Sequence, residues 1–325
     1  MEIGIVEIEK AARRIKGFAV ETPVIESPML NERTGGRILV KAECLQRTGS
    51  FKFRGAWNCI SQLDPATAIG GVVAYSSGNH AQGVAAAAQI KGLPAAIVMP
   101  ADTPEIKQAN TRGYGAEVIT YDRARESREE IAGELARKRR AVLVPPFEHP
   151  DIIAGQGTVG LELADEAARR DAHLDEVLVC CSGGGLTAGI ALAMEARSPS
   201  TKVHPVEPEA FDDYARSLKS GVRERNAQAA GSICDALLTQ QPGAMTFAIN
   251  RSRLGEGLTV SDAEVRDAMR YAFYLLKIVL EPGGAVALAA VLASKIATKG
   301  RVIGVIASGG NVDAPMFAKI LNGQI

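Results

Sequence analysis

A chain of 325 residues with 37 basic and 37 acidic side chains has no net formal charge, which excludes the electrostatic footprint of a nucleic-acid or anionic-membrane binder. Hydrophobic residues make up 46% and charged residues 23%, enough for two compact domains or one large α/β unit with a sizeable core. The five cysteines (Cys44, Cys59, Cys180, Cys181, Cys234) are odd in number and include no CxxC pair, so they read as buried thiols of a reducing compartment. The opening stretch MEIGIVEIEK has early acids and no continuous apolar core, and no apolar run reaches spanning length. A cytoplasmic protein is expected.

Periodicity predicts an amphipathic helix from about Val6 to Lys16, an extended crossing at Glu21–Val24 and a short strand from Arg37. Strands and helices then alternate. Strands are predicted at 71–75, 95–99, 117–120 and 141–144, with helices at 81–90, near 105–112 and at 124–139. The Pro-rich loop Val144–Pro150 is the candidate crossing between domains, with 1–67 and 148–325 as a large domain and 68–147 as a small one. A helix at 153–170, strands at 177–181 and 203–206, and a less regular region from Asp212 to Leu258 follow. Ser261 and Glu264 form a capping box for a helix reaching about Ile278; a helix at 285–297, a strand at 302–306 and a last helix complete the chain. Such alternation predicts an α/β protein with parallel sheet and helices on both faces.

Five stretches can carry chemistry. In Thr48-Gly-Ser-Phe-Lys52-Phe-Arg54, Ser50 is a candidate N-cap and Lys52 then projects from a helix's first turn between two aromatics. The positive end of the helix dipole and apolar neighbours both disfavour an ammonium, and a neutral amine can form a Schiff base with an aldehyde such as pyridoxal phosphate. Ser76-Ser77-Gly78-Asn79-His80 lies between a strand's carboxyl end and a helix start, where ligands of open α/β sheets bind; a substrate carboxylate suits it. Ser182-Gly183-Gly184-Gly185-Leu186 has the same topology and can surround a small phosphate with main-chain N–H groups, and it matches neither GxGxxG nor a Walker A sequence. Ser308 in Ser-Gly-Gly-Asn also follows a strand, and its hydroxyl can reach a pyridine nitrogen. Glu207-Pro-Glu-Ala-Phe211-Asp-Asp213 is an acidic loop able to hold a hard cation or simply to face solvent.

In this order the stretches resemble the fold-type II pyridoxal-phosphate enzymes, in particular the threonine/serine dehydratase and serine racemase family, from Thr22-Pro to Asn311. The resemblance implies two open twisted, mainly parallel sheets flanked by helices, tryptophan synthase β-like, with the cofactor in the cleft between domains. It implies Lys52 as the Schiff-base lysine, Phe51 beside the cofactor, Asn79 at its phenolic oxygen, Ser182, Gly183, Gly184, Gly185 and Leu186 around its phosphate and Ser308 at the ring nitrogen. Ser76, Ser77, Asn79 and His80 are implied for the substrate carboxylate, with Ser77 a catalytic acid or base opposite Lys52. Glu207, the Phe211 carbonyl and Asp213 are implied for Mg²⁺, Mn²⁺ or Ca²⁺. One departure is Ser182, where the family's phosphate loop usually opens with glycine; a second point is that the chain stops soon after the Ser-Gly-Gly-Asn turn, so the C-terminal regulatory domain of biosynthetic threonine dehydratases is not expected.

The implied activity is dehydration and deamination of a β-hydroxy amino acid (threonine, serine or 3-hydroxyaspartate) to a 2-oxo acid and ammonia, by a homodimer or homotetramer. An amino-acid racemase and a non-catalytic pyridoxal-phosphate carrier or sensor are the alternatives. An anionic substrate side chain would need a cation, for which Arg128 is a candidate, although a solvated surface position also explains that residue.

Overall fold

Short β-branched runs bounded by glycine and proline pair with runs far away in sequence, and the amphipathic segments between them cover the resulting faces. The computed structural model describes residues 3–76, 78–103, 105–122 and 125–325. Its elements begin with α1 (Ile5–Ile15), β1 (Val24–Glu26), α2 (Pro28–Thr34), β2 (Arg37–Lys41), α3 (Lys52–Ile60), β3 (Val72–Tyr75) and α4 (Asn79–Lys91). Next come β4 (Ala95–Pro100), α5 (Glu105–Gly113), β5 (Glu117–Tyr121), α6 (Arg128–Arg139), β6 (Val142–Leu143) and α7 (Pro150–Arg169). Then follow β7 (Glu176–Cys180), α8 (Gly185–Arg197), β8 (Lys202–Pro208), α9 (Asp213–Ser220), α10 (Ala244–Asn250) and β9 (Leu258–Val260). The chain closes with α11 (Asp262–Tyr271), α12 (Pro282–Leu292), β10 (Val302–Ile306) and α13 (Ala314–Leu321).

One sheet has the order β1-β2-β10-β7-β8-β9, with β1 antiparallel to β2 and every other pair parallel. The second, order β5-β4-β3-β6, is parallel throughout. Central strands of the larger sheet are buried on both faces (Leu39, Val177, Val179, Val305), as parallel strands covered by helices must be. The carboxyl ends of β2, β7, β10 and β3 lead respectively to Lys52, Ser182, Ser308 and Ser76, so every predicted loop lies at the ligand-binding rim of a sheet.

Several elements differ from their predicted form. Ser50 does not cap α3: Phe51 is the N-cap residue, with no side-chain cap bond, because Ser50 is paired in extended form with Gly309. Helix α4 starts at Asn79 after Gly78, two residues earlier than alanine content suggested. The α11 helix does run on towards Ile278, but its last part (Ala272–Leu276) is a π-helical turn that ends at Lys277 in the left-handed region. The region from Asp212 to Leu258 contains α9 and α10 and is less irregular than expected, while α2 and β9 gave no readable signal.

Helix α3 is anchored by charge. The fully buried Arg54 guanidinium donates to both oxygens of Glu43 at 2.8 Å, to both oxygens of Glu162 on α7 at 2.6 and 2.7 Å, and to the Thr158 hydroxyl at 3.2 Å. Lys41 at the end of β2 donates to Glu162 and to the Thr22 carbonyl, and the Thr22 hydroxyl donates to Glu43. Burial opposes the Arg54 charge, but Glu43 and Glu162 more than compensate and raise its affinity for the proton. Removing one partner leaves an uncompensated buried charge, so Arg54→Met should destabilise the protein by about 3–5 kcal/mol in urea unfolding. A loss below about 1 kcal/mol, the range of an exposed pair, would show that the network does not anchor the helix.

Candidate functional site

Four chain segments meet around Lys52. The Phe51 N–H donates to the Ser308 carbonyl at 3.1 Å, and the Gly310 N–H donates to the Gly49 carbonyl at 2.9 Å, which stitches the lysine loop to the turn after β10. Lys52 is half-buried as a residue, with its amine 5.1 Å from the centre of the Phe51 ring and donating to the Pro146 carbonyl at 2.9 Å. Burial pushes the amine down to about 8, with Cys180 pulling weakly the other way. Ser308 is buried, with its hydroxyl next to the Cys180 thiol, so the strand ends of β7 and β10 place this serine beside the lysine.

The glycine loop is built as an anion cradle. None of the main-chain N–H groups from Ser182 to Thr187 donates to a protein acceptor among the described residues, while the loop's carbonyls are tied back. Thr246 donates its hydroxyl to the Gly183 carbonyl at 2.5 Å, and Asn250 donates its amide to the Gly184 carbonyl at 3.1 Å and to the Tyr214 hydroxyl at 2.7 Å. Gly184 has φ +88°, and a Cβ there would sit 2.3 Å from the Tyr214 hydroxyl, so only glycine fits. Ser182 keeps the loop in place by a hydroxyl–hydroxyl bond to Thr239 at 2.6 Å, which accounts for a serine at a position where the family resemblance expects glycine. The ring of Phe147, next to Pro146, lies against Gly183, so the lysine's carbonyl partner and the phosphate loop adjoin.

On the other wall, Asn79 opens α4, and the Ser76 hydroxyl accepts the Gly78 N–H at 3.2 Å. Ser77 lies outside the described residues. His80 is placed differently from its expected side-chain role: its buried imidazole donates from Nε2 to the Val144 carbonyl at 2.9 Å, leaving Nδ1 without a partner among the described residues. Burial first, and the Lys52 charge second, push this imidazole down to about 3, so it is neutral and only its main-chain N–H remains for an anion. Arg128 stacks over the Tyr75 ring at 5.4 Å, at the end of β3, besides pairing with Glu129. That contact brings it nearer the rim than a purely solvated residue.

Two site residues went unsingled in the sequence. Glu281 is buried and accepts a 2.6 Å hydrogen bond from the Asn79 amide; Asn311 donates to Asn79 Oδ1 and to the Thr48 carbonyl, each at 2.8 Å. Asn311 closes the Ser-Gly-Gly-Asn turn and could have been read from that motif, whereas Glu281 precedes Pro282 at a helix start and carries no motif.

The acidic loop folds inward. Glu207, Phe211 and Asp213 are buried. Glu207 accepts the Tyr214 and Ala215 N–H groups at 3.0 and 2.8 Å, and Asp213 accepts from Asn226 at 2.6 Å through Oδ1 while its buried Oδ2 has no partner among the described residues. Burial, together with the Asp213 charge, holds the Glu207 carboxyl above the usual range, and burial pushes Asp213 up to about 7. Elsewhere Cys59, His149 and Asp151 bring ligand atoms within 4.8 Å of one another, but His149 Nδ1 already accepts the Asp151 N–H as the cap of α7.

The orphan N–H cradle, the depressed amine and the aromatic beside it fit pyridoxal phosphate. Since the aldehyde reacts with the neutral amine, reconstitution of apoprotein should accelerate as pH rises through about 8, measured by growth of the visible band. A rate that still climbs about tenfold per pH unit beyond pH 9, without levelling off, would show that Lys52 does not carry this depressed affinity.

A family model for pyridoxal-phosphate dependent enzymes matches residues 15–309. An L-threo-3-hydroxyaspartate ammonia-lyase of Pseudomonas is 45% identical over 317 residues, 98% of each chain. A serine racemase of Schizosaccharomyces pombe is 42% identical, covering 97% of this chain and 96% of the relative. The solved structure of maize serine racemase superposes with a TM-score of 0.92 at 36% identity, covering 100% of this chain and 98% of that one. The chain therefore belongs to the pyridoxal-phosphate dependent enzymes of fold-type II, alongside the hydroxy-amino-acid ammonia-lyases and serine racemases.

Proposed function

We propose that this protein is an ammonia-lyase that removes the β-hydroxyl and the amino group of a β-hydroxy amino acid, giving a 2-oxo acid and ammonia, with L-threo-3-hydroxyaspartate as the foremost substrate. The observation that carries this reading is the half-buried amine of Lys52, depressed to about 8 and set beside a loop of free N–H donors. Pyridoxal phosphate, when bound, supplies the aldehyde and the conjugated ring that acidify the substrate's α-hydrogen. Phe51 and Lys52 would flank it, the free Asn79 amide hydrogen would be available to its phenolic oxygen, and Ser182 to Leu186 would hold its phosphate. Ser308 would offer the ring nitrogen a hydroxyl and not a carboxylate, a partner without the negative charge that would favour a proton there. Ser76, Ser77, Asn79 and the His80 N–H receive the substrate carboxylate. Lys52 takes the α-proton from one face. The smaller sheet, residues 68–147, is the small domain that covers the cleft.

The substrate assignment rests on the Pseudomonas relative and on Arg128, whose guanidinium at the Tyr75 rim suits a second carboxylate. Assay of purified protein with L-threonine, L-serine and L-threo-3-hydroxyaspartate should give most 2-oxo acid from the last. Lys52→Ala should lose about 10³-fold or more of that activity with the fold intact. Arg128→Ala should lower kcat/KM for hydroxyaspartate about 10–100-fold and leave serine within about threefold. A loaded enzyme that forms no oxo acid but interconverts enantiomers would instead support the racemase reading, which the S. pombe relative favours.

A divalent cation (Mg²⁺, Mn²⁺ or Ca²⁺) between Glu207, the Phe211 carbonyl and Asp213 answers the orphaned Asp213 oxygen and the two crowded carboxylates. Adding Mg²⁺ or Ca²⁺ to chelator-treated protein should raise Tm by roughly 2–5 °C, and Asp213→Asn should remove the shift. Equal Tm with and without cation sinks the site. A homodimer or homotetramer is proposed as the assembly, for which exposed Phe273, Tyr274 and Leu275 supply apolar surface. No described helix is long and apolar enough to cross a membrane, and the unpaired, buried cysteines suit a cytoplasmic setting.

A further inference from the structure

Glu281 stands in the site with no task in the reaction above. It is the N-cap residue of α12 but makes no side-chain cap bond; the carboxylate turns instead to Asn79. Its own N–H donates to the Gly309 carbonyl at 3.1 Å, and a Cβ at Gly309 would lie 2.0 Å from Glu281 Oε1, so the glycine after Ser308 makes room for this acid. Asn79 is therefore held at both ends. Its Nδ2 donates to Glu281 and its Oδ1 accepts from Asn311, whose position is fixed by the Thr48 carbonyl. An amide so clamped cannot flip, and it keeps one Nδ2 hydrogen to present to a ligand.

We propose that Glu281 is a positioning residue that locks the Asn79 amide donor towards the cofactor and tightens that lock when it ionises. The inference rests on the lyase reading only in taking Asn79 as a cofactor contact. An ionised carboxylate is the stronger acceptor, so proton loss strengthens the Asn79 bond. Burial and the Asp235 charge push the Glu281 carboxyl up to about 7, against Asn79 and the Lys107 charge, so this change falls in the neutral range. The Cys44, Cys180 and Cys234 thiols also lie near it but are held neutral by burial and by the Glu281 charge itself, and Lys107 is paired with Asp235.

Two substitutions separate orientation from charge. Glu281→Gln keeps an acceptor for Asn79 but cannot ionise, while Glu281→Leu removes the acceptor. Retention of pyridoxal phosphate, read as the apparent Kd from the visible band, should weaken at least about tenfold in E281L. In E281Q it should match wild type near pH 6 and fall behind it by about threefold or more near pH 8. A second readout needs no cofactor. A carboxyl that keeps its proton up to about 7 in the fold, against 4.5 when free, makes the folded chain the stronger proton binder between those values. Apoprotein stability then falls as pH rises through that window, and E281Q escapes the fall, so its Tm advantage should widen from about pH 5 to about pH 8. A Kd ratio of wild type to E281Q that stays constant with pH, or an E281L that retains cofactor normally, overturns the proposal. Failure of the wild type to develop any band removes the lyase reading and this inference with it, an outcome distinct from either variant result.

Discussion

The Arg54 guanidinium cannot shed its proton, so a fold that buries it must surround it with carboxylates. That single requirement ties together the segment before β1, the end of β2 through Glu43, α3 and the middle of α7 through Glu162. Lys52 sits two residues before Arg54 on the same helix. Its amine is thus placed by an electrostatic clamp that is indifferent to whether anything is bound. The opposite face of α3 (Phe53, Trp57, Ile60) packs into the core around the smaller sheet. The lysine therefore stands at the junction of both sheets.

A second layer of contacts joins the remaining loops to that frame. Asn226 bridges Asp213 and the Thr239 carbonyl, and the Thr239 hydroxyl meets Ser182. Tyr214, the neighbour of Asp213, holds the amide of Asn250, which in turn holds Gly184. The acidic loop and the phosphate loop are consequently one hydrogen-bonded body.

The ionisable groups of the cleft share one tendency. Lys52 and His80 are pushed down and Glu281 is pushed up, and in each case burial is the principal cause. Burial penalises whichever form is charged, so the site favours a neutral amine, a neutral imidazole and a partly protonated acid. This is the environment in which an amine condenses with an aldehyde and a proton can move between nearby groups without a strong fixed charge dictating its place.

The sequence by itself determined the alternation of strands and helices, the parallel sheets and the loops at their carboxyl ends, because period, β-branching and glycine placement act over a few residues. It also singled out Lys52, Asn79, the Ser182–Leu186 loop and Ser308, since each lies in a short motif at a strand end. Only the tertiary structure decided that His80 spends its imidazole on Val144, that Ser50 pairs with Gly309 in place of capping α3, and that Glu281 clamps Asn79 from 202 residues away. Hydrogen-bond partnership and desolvation depend on what the whole fold packs against a group, and neither leaves a local pattern to read.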